Sequence, residues 1–196
     1  MRYPARVALG FGVLSALCLV ALAVDEKPAE KKKKDAAGSG EVTLQIADWE
    51  ETLERVAAHK GKIVVLDAWS TSCAPCMKEF PNLVKLHKKY GGKDVVCMSL
   101  ACDYAGIKNK PPEFYREKVL KFLTRQGASF ENLLSSVPSE ELFDQKMQLS
   151  SIPAVYVYGR DGKLVKRFDN SDAKSDDDNF TYADVTKLVE ELVGKK

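Results

Sequence analysis

Two cysteines, Cys73 and Cys76, stand close together in the stretch AWSTSCAPCMKEFP, which spans residues 68–81. A pair at this spacing can supply half of a metal site, form a structural disulfide or act as a redox couple. A zinc site needs four ligands. The next cysteines, Cys97 and Cys102, lie on or just after a predicted buried strand and, at this odd spacing, face opposite sides of it. We therefore predict no metal site and prefer the redox couple, with a structural disulfide as the alternative.

The elements that must position the pair favour redox chemistry. The apolar run KIVVLDA, residues 62–68, predicts a buried strand, and the cysteine pair follows it at the start of a predicted helix. Free N–H groups and partial positive charge at a helix start stabilise a thiolate. We predict that Cys73 is the exposed nucleophile and that Cys76, about one turn further in, resolves the mixed disulfide formed on it. Pro75 restricts the backbone between them.

Asp67 is the one charged residue inside the apolar part of that strand. Burial of a carboxylate raises its pKa, so that it can act as a base near neutral pH. The alternative is a buried acid that is satisfied by hydrogen bonds and has no chemical role.

Composition indicates a globular chain without an electrostatic partner. The 196 residues are 45% hydrophobic and 30% charged, which suits one medium-sized domain with appendages. The formal net charge of +2 comes from Arg2 and Arg6, so the rest of the chain has no net charge. We therefore expect no nucleic-acid partner.

The amino-terminal part is typical of an exported protein. Residues 1–23 combine a basic start, the apolar run Val7 to Ala23 and the small-residue pattern Ala21-Leu22-Ala23, which predict a signal peptide cleaved after Ala23. The alternative is an uncleaved anchor that tethers the chain to a membrane. Residues 24–40 are charged and then small, and predict a flexible linker. We expect one folded domain over residues 41–196.

Strand and helix patterns alternate through that domain, which predicts an α/β fold with a mixed sheet between helices. The predicted strands are 41–46, 62–68, 94–100, 129–134, 154–158 and 163–168. Five helices are predicted. The first follows Asp48 and has Trp49, Leu53 and Val56 on one face, the second begins at the cysteine pair, and the third and fourth cover 113–126 and 139–149. The fifth follows Thr181, and its inward-facing residues are Tyr182, Val185, Val189 and Leu192.

The site segment resembles the thioredoxin family. Asp67 and Trp69 stand where the family has a buried aspartate and a tryptophan before its cysteine pair, and Pro81 stands at its helix proline. Ile152-Pro153 matches the family's cis-proline segment. The export signal and the insertion after the Cys97 strand are similar to the TlpA-like and ResA-like branch, and the resemblance covers residues 42–193.

The resemblance implies a thioredoxin-like fold, with an inserted helix and strand before the cis-proline strand. It also implies catalytic roles for Cys73 and Cys76 and a role for Asp67 as the acceptor of the Cys76 proton. Substrate contacts are expected from five residues: Trp69, Ser72, Pro75, Ile152 and Pro153. The chain departs from the family at Ser72, since the family has a tryptophan there, so the surface offered to a client differs.

We therefore expect an exported thiol–disulfide oxidoreductase, a reductase of other proteins' disulfides, in the periplasm or another extracytoplasmic compartment. Its only redox group would be the Cys73–Cys76 disulfide, with no cofactor, and an upstream membrane protein would supply electrons. A thiol peroxidase is an alternative, although Leu66 stands where such enzymes have a proline. A copper-binding or scaffold module is another, although the pair lacks the C-x-x-x-C spacing and no histidine follows His87.

Overall fold

The structure is a computed structural model that describes residues 40–175 and 178–195. The expectations for residues 1–23, and those for 24–39, lie outside the described residues. The strands are β1 (Gln45–Ala47), β2 (Ile63–Trp69), β3 (Val95–Ala101), β4 (Glu131–Ser135), β5 (Ala154–Tyr158) and β6 (Leu164–Phe168). The helices are α1 (Trp49–Ala58), α2 (Ala74–Tyr90), α3 (Pro112–Gln126), α4 (Ser139–Glu141, continued by a π-helix at Leu142–Met147) and α5 (Tyr182–Gly194).

The strands form one mixed sheet in the order β1-β4-β3-β2-β5-β6. The first four strands in this order, β1, β4, β3 and β2, run parallel to one another, whereas β5 is antiparallel to both β2 and β6. All seven residues of β2 are buried, because β3 and β5 flank it and helices cover both of its faces. The predicted mixed sheet between helices is confirmed.

Alternate residues of β2 contribute to two cores on opposite faces of the sheet. Val65 and Trp69 pack into a core with side chains of α2, α3 and α5. Leu66 and Ala68 pack into a second core with side chains of α1 and the π-helix. Asp67 lies between Val65 and Trp69, so it shares the face that α2 and α5 cover.

Most elements lie within a residue or two of their predicted bounds, and the exceptions have physical causes. β1 is shorter than predicted because it pairs only with β4, from Gln45 opposite Leu133 onward. The expectation that Leu53 packs inward is wrong, since its side chain is 36% exposed. Thr52 is buried instead, and its hydroxyl donates to the Asp48 carbonyl oxygen at 2.7 Å.

Capping boxes stand at the starts of α1 and α5. The Asp48 carboxylate accepts from the Glu51 N–H at 2.7 Å and the Glu51 carboxylate from the Asp48 N–H at 3.0 Å, which fixes the start of α1. Thr181 and Asp184 form the corresponding capping box at the start of α5. Within residues 40–175 and 178–195, no helix combines the length and the apolar character that crossing a membrane would need.

Candidate active site

Cys73 and Cys76 form a disulfide at the start of α2, just after the loop that connects β2 to this helix. Cys73 is the residue that caps α2, and the Cys76 N–H points at its Sγ over 3.2 Å. Cys73 is half-buried and stands between the exposed Ser72 and Ala74, whereas Cys76 is buried in the first turn of the helix. The predicted asymmetry between an accessible and an enclosed sulfur is therefore present in the structure.

The Ile152–Pro153 segment lies against the disulfide. The peptide bond between these residues is cis, and the Ile152 carbonyl oxygen lies 3.6 Å from Cys73 Sγ. The sheet explains this approach across 79 positions of the chain, because Ala154 at the start of β5 pairs with Ala68 near the end of β2. The register of β5 on β2 thus brings the segment beside the pair.

Asp67 is buried on the face of β2 that α2 and α5 cover, and its carboxylate accepts a hydrogen bond from a side chain of α5. The Tyr182 hydroxyl, from the first residue of α5, donates to Asp67 Oδ2, whereas Oδ1 has no partner among residues 40–175 and 178–195. Burial raises the pKa of Asp67 to about 7. The hydrogen bond from Tyr182 opposes this shift, and the negative charge of Glu79 on α2 adds to it.

The loop before the disulfide is tied down by polar side chains. The Thr71 N–H lies 3.1 Å from both carboxylate oxygens of Asp103, and the Thr71 hydroxyl also donates to that carboxylate. The hydroxyls of Ser70 and Ser72 lie 2.9 Å apart, and the Ser72 N–H donates to Ser70 Oγ. Ser72 is exposed beside the pair, as is Pro75. Both therefore lie where an incoming molecule meets the disulfide.

Trp69 does not have the surface position that a substrate contact requires. Its side chain is fully buried, with ring centroids 4.8 Å from Phe80 and 4.7 Å from Phe122. The physical reason is the pleat of β2, which directs Trp69 into the core beneath α2. Trp69 packs in the core beneath the start of α2. The expectation that it contacts a substrate is therefore wrong.

The two remaining cysteines in the described part of the chain are buried thiols on opposite faces of the sheet, as expected from their spacing. Burial raises the pKa of both, so they stay protonated and unreactive. Cys102 is buried just past the end of β3, and its N–H donates to the Trp69 carbonyl oxygen at 2.7 Å. Among residues 40–175 and 178–195, no cluster of three acidic, histidine or cysteine side chains could hold a metal ion.

Sequence reasoning missed two residues of this site. Tyr182 was expected only as an inward-facing residue of the last helix, and Asp103 was not singled out. The position of Asp103 could have indicated a role, because it is an acid two residues past the buried strand β3. The loop with the cysteine pair begins at the carboxyl end of the neighbouring parallel strand β2. The position of Tyr182 gave no such indication, because its partner lies 115 positions earlier in the chain.

Comparisons with known proteins agree with the geometry. The sequence profile of a family described as Redoxin matches residues 32–184. The thiol-disulfide oxidoreductase ResA of Bacillus thuringiensis subsp. konkukian is 26% identical over 146 residues, which are 74% of this chain and 76% of that protein. ResA of Bacillus subtilis is 24% identical over 169 residues, 85% of this chain and 86% of that protein. The resemblance to the ResA-like branch is thus confirmed.

Solved structures confirm the thioredoxin-like fold. A secreted disulfide oxidoreductase from Mycobacterium tuberculosis superposes with a TM-score of 0.51 at 19% identity, covering 69% of this chain and 86% of that one. A thioredoxin family protein from Chlorobium tepidum, a thiol:disulfide interchange protein, gives a TM-score of 0.50 at 17% identity, covering 69% and 83%.

Proposed function

The chain belongs to the Redoxin family, and from that premise we propose that it is a thiol–disulfide oxidoreductase whose Cys73–Cys76 couple exchanges disulfides with other proteins. One observation carries the proposal: the disulfide caps a helix beside the cis Ile152–Pro153 segment, with one sulfur accessible and the other enclosed. The relatives named as thiol-disulfide oxidoreductases support it, and they favour neither the thiol peroxidase nor the copper-binding module.

In the reducing direction, the reaction proceeds in two exchanges. The Cys73 thiolate attacks one sulfur of a client disulfide, a Cys73–client bond forms, and the other client sulfur leaves as a thiolate. Cys76 then gives its proton to Asp67 and attacks Cys73 Sγ. The Cys73–Cys76 bond forms, the second client sulfur leaves as a thiolate, and two electrons have passed to the client.

The surroundings of the pair suit these steps. The Cys76 N–H and the start of α2 stabilise negative charge on Cys73 Sγ. Asp67, with its raised pKa, is partly ionised at neutral pH and can accept a proton. Ile152 and Pro153 form one wall beside the accessible sulfur and would contact the client backbone, with Ser72 and Pro75 exposed beside it. The two sulfurs carry the electrons, so the reaction needs no cofactor.

We further propose that the chain is exported and works as a reductase in the periplasm or another extracytoplasmic compartment. The basic and apolar residues 1–23 support export, either as a cleaved signal or as an uncleaved membrane tether. A reductase in an oxidising compartment must itself be re-reduced, so an upstream membrane electron donor is part of the proposal.

Trapping of mixed disulfides tests the proposed function. A Cys76→Ser variant should remain linked to a disulfide-bonded client protein, because no thiol is left to resolve the Cys73 adduct. A Cys73→Ser variant is the matched control and should form no such adduct. Electrophoresis without reductant, followed by mass spectrometry of the linked peptide, measures both. Absence of adducts in the first variant, or equal adducts in both, contradicts the proposal.

A further inference from the structure

A buried hydrogen bond joins the first residue of α5 to the proposed proton acceptor. Tyr182 is 3% exposed, and its hydroxyl donates to Asp67 Oδ2. The backbone that carries Tyr182 is fixed, since the preceding Thr181 donates through both its N–H and its hydroxyl to the Asp184 carboxylate at 2.9 Å. The hydroxyl therefore meets the carboxylate from a defined direction.

This contact gives the two carboxylate oxygens of Asp67 different hydrogen-bonding surroundings. Oδ2 accepts from the hydroxyl of Tyr182, whereas Oδ1 is buried and has no hydrogen-bond partner in the part of the chain that the structure describes. A buried acceptor without a partner is costly, so it needs a specific explanation, and a catalytic role is one of these. Cys76 belongs to the core on this same face of β2. Oδ1 is thus the oxygen that remains available for its proton.

We propose that Tyr182 is a positioning residue for the exchange reaction: its hydroxyl anchors Oδ2 of Asp67, so that the free Oδ1 takes the proton of Cys76. This inference rests on the proposed function, because it assigns a task within the second exchange. In that step the Cys76 S–H bond breaks, its proton goes to Oδ1, the Cys76–Cys73 bond forms, and the client sulfur leaves with the electron pair of the broken mixed disulfide.

The groups that face Asp67 make the hydroxyl important. Glu79 on α2 repels its negative charge, and the Cys97 and Cys102 thiols on and after β3 interact with it. Among the residues that the structure describes, Tyr182 is the group whose contact favours the ionised carboxylate. Burial keeps the pKa of Tyr182 well above its ordinary value, so the hydroxyl remains a donor throughout the neutral range.

The second exchange can be timed without a natural client. The reduced full chain is mixed with Ellman's reagent, an aromatic disulfide, and released thionitrobenzoate is followed by absorbance. The first release reports attack by Cys73, and the second reports attack by Cys76 on the resulting adduct. The rate of the second release is measured against pH for the native chain, Tyr182→Phe and Tyr156→Phe. Tyr156 is the matched control, because its hydroxyl is buried on the opposite face of the sheet.

Loss of the Tyr182 hydroxyl should raise the pH midpoint of the second release by about one unit, because a hydrogen bond to a charged group then no longer stabilises ionised Asp67. Tyr156→Phe should leave the midpoint where it is. In an Asp67→Asn background, adding Tyr182→Phe should change nothing further. A merely structural role for Tyr182 would change stability but would not move this midpoint.

A second variant guards against misfolding of Tyr182→Phe. Incorporation of 3-fluorotyrosine at position 182 keeps the ring and makes the hydroxyl a stronger donor, so the midpoint should move down. Equal midpoints in the native chain, Tyr182→Phe and the fluorinated chain overturn the inference while leaving the proposed function intact. Absence of the first release from the native chain overturns the proposed function itself.

Discussion

At the scale of the residue, the proposed role of Asp67 as proton acceptor depends on the burial of its carboxyl group. An unpaired carboxylate oxygen in a closed core is unfavourable, and Asp67 Oδ1 has no partner among the residues that the structure describes. Because burial raises the pKa of Asp67 to about 7, the carboxyl can both accept and release a proton near neutral pH.

Replacing Asp67 by asparagine removes the proton acceptor while preserving the shape of the side chain. We expect the second thionitrobenzoate release to slow on the order of 100-fold at neutral pH, and its titration near pH 7 to disappear. The first release from the same sample is the internal control and should change little, since Cys73 does not need this base. An unaltered second release at pH 7 would exclude Asp67 from the reaction.

At the scale of the element, the loop from β2 to α2 is held in place by Asp103, which follows the carboxyl end of the neighbouring strand β3. Asp103 binds Thr71 through three contacts, one to each carboxylate oxygen from the N–H and one from the hydroxyl. Thr71 lies two residues before Cys73, so this clamp fixes the approach of the chain to the helix start. The accessible sulfur is positioned by β3 as well as by β2.

Weakening that clamp should loosen the loop without changing the fold. Asp103→Asn replaces one acceptor oxygen by a donor, so we expect a loss of about 1 kcal/mol in the free energy of unfolding and faster hydrogen exchange at the Thr71 amide. Asp172→Asn, in an exposed loop, is the control and should affect neither quantity. Urea unfolding and amide exchange measured by NMR check both. Unchanged exchange at Thr71 would contradict the assigned clamp.

The elements themselves were largely predictable, because each has a local cause. The all-buried strand β2 reads as a continuous apolar run, and the capping boxes at Asp48 and Thr181 mark two helix starts. The π-helix at Leu142–Met147 was predicted only as ordinary helix, since no local pattern distinguishes the two. The error at Leu53 arose because Thr52, a polar residue, can be buried once its hydroxyl bonds to the backbone.

At the scale of the whole molecule, the site combines segments that are distant in the chain. The positions of Cys73 and Ile152-Pro153 could be inferred from the family resemblance, and the sheet register explains their approach. The contact between Tyr182 and Asp67 could not, because it depends on how α5 packs against β2. Burial of Trp69 depends likewise on which face of the finished sheet α2 covers.

The raised pKa of Asp67 makes the stability of the whole chain depend on pH. A carboxyl whose folded pKa lies above its unfolded value binds more protons when folded, so stability falls as pH rises from about 4 to about 7. Asp67→Asn removes this penalty. We expect the variant to be more stable than the native chain well above pH 7, by on the order of 4 kcal/mol, and equal to it below pH 4.

Urea unfolding at pH 4, 6 and 8 measures this difference. Glu140→Gln, at an exposed acid within α4, is the control and should follow the native chain at every pH. If the free energy of unfolding changes with pH in the same way for the native chain and Asp67→Asn, the pKa of Asp67 does not rise on folding, which contradicts this prediction.

The most direct test of the central claim is a redox titration of the native chain against glutathione or dithiothreitol buffers, with thiol labelling and intact mass to count free thiols. A redox couple predicts reversible conversion between Cys73–Cys76 disulfide and dithiol in the folded state, with about 30 mV per tenfold change in the equilibrium constant, as for a two-electron couple. A reductase predicts a potential nearer to about −270 mV than to about −120 mV. A disulfide that resists reduction until the chain unfolds would identify a structural staple and contradict this account.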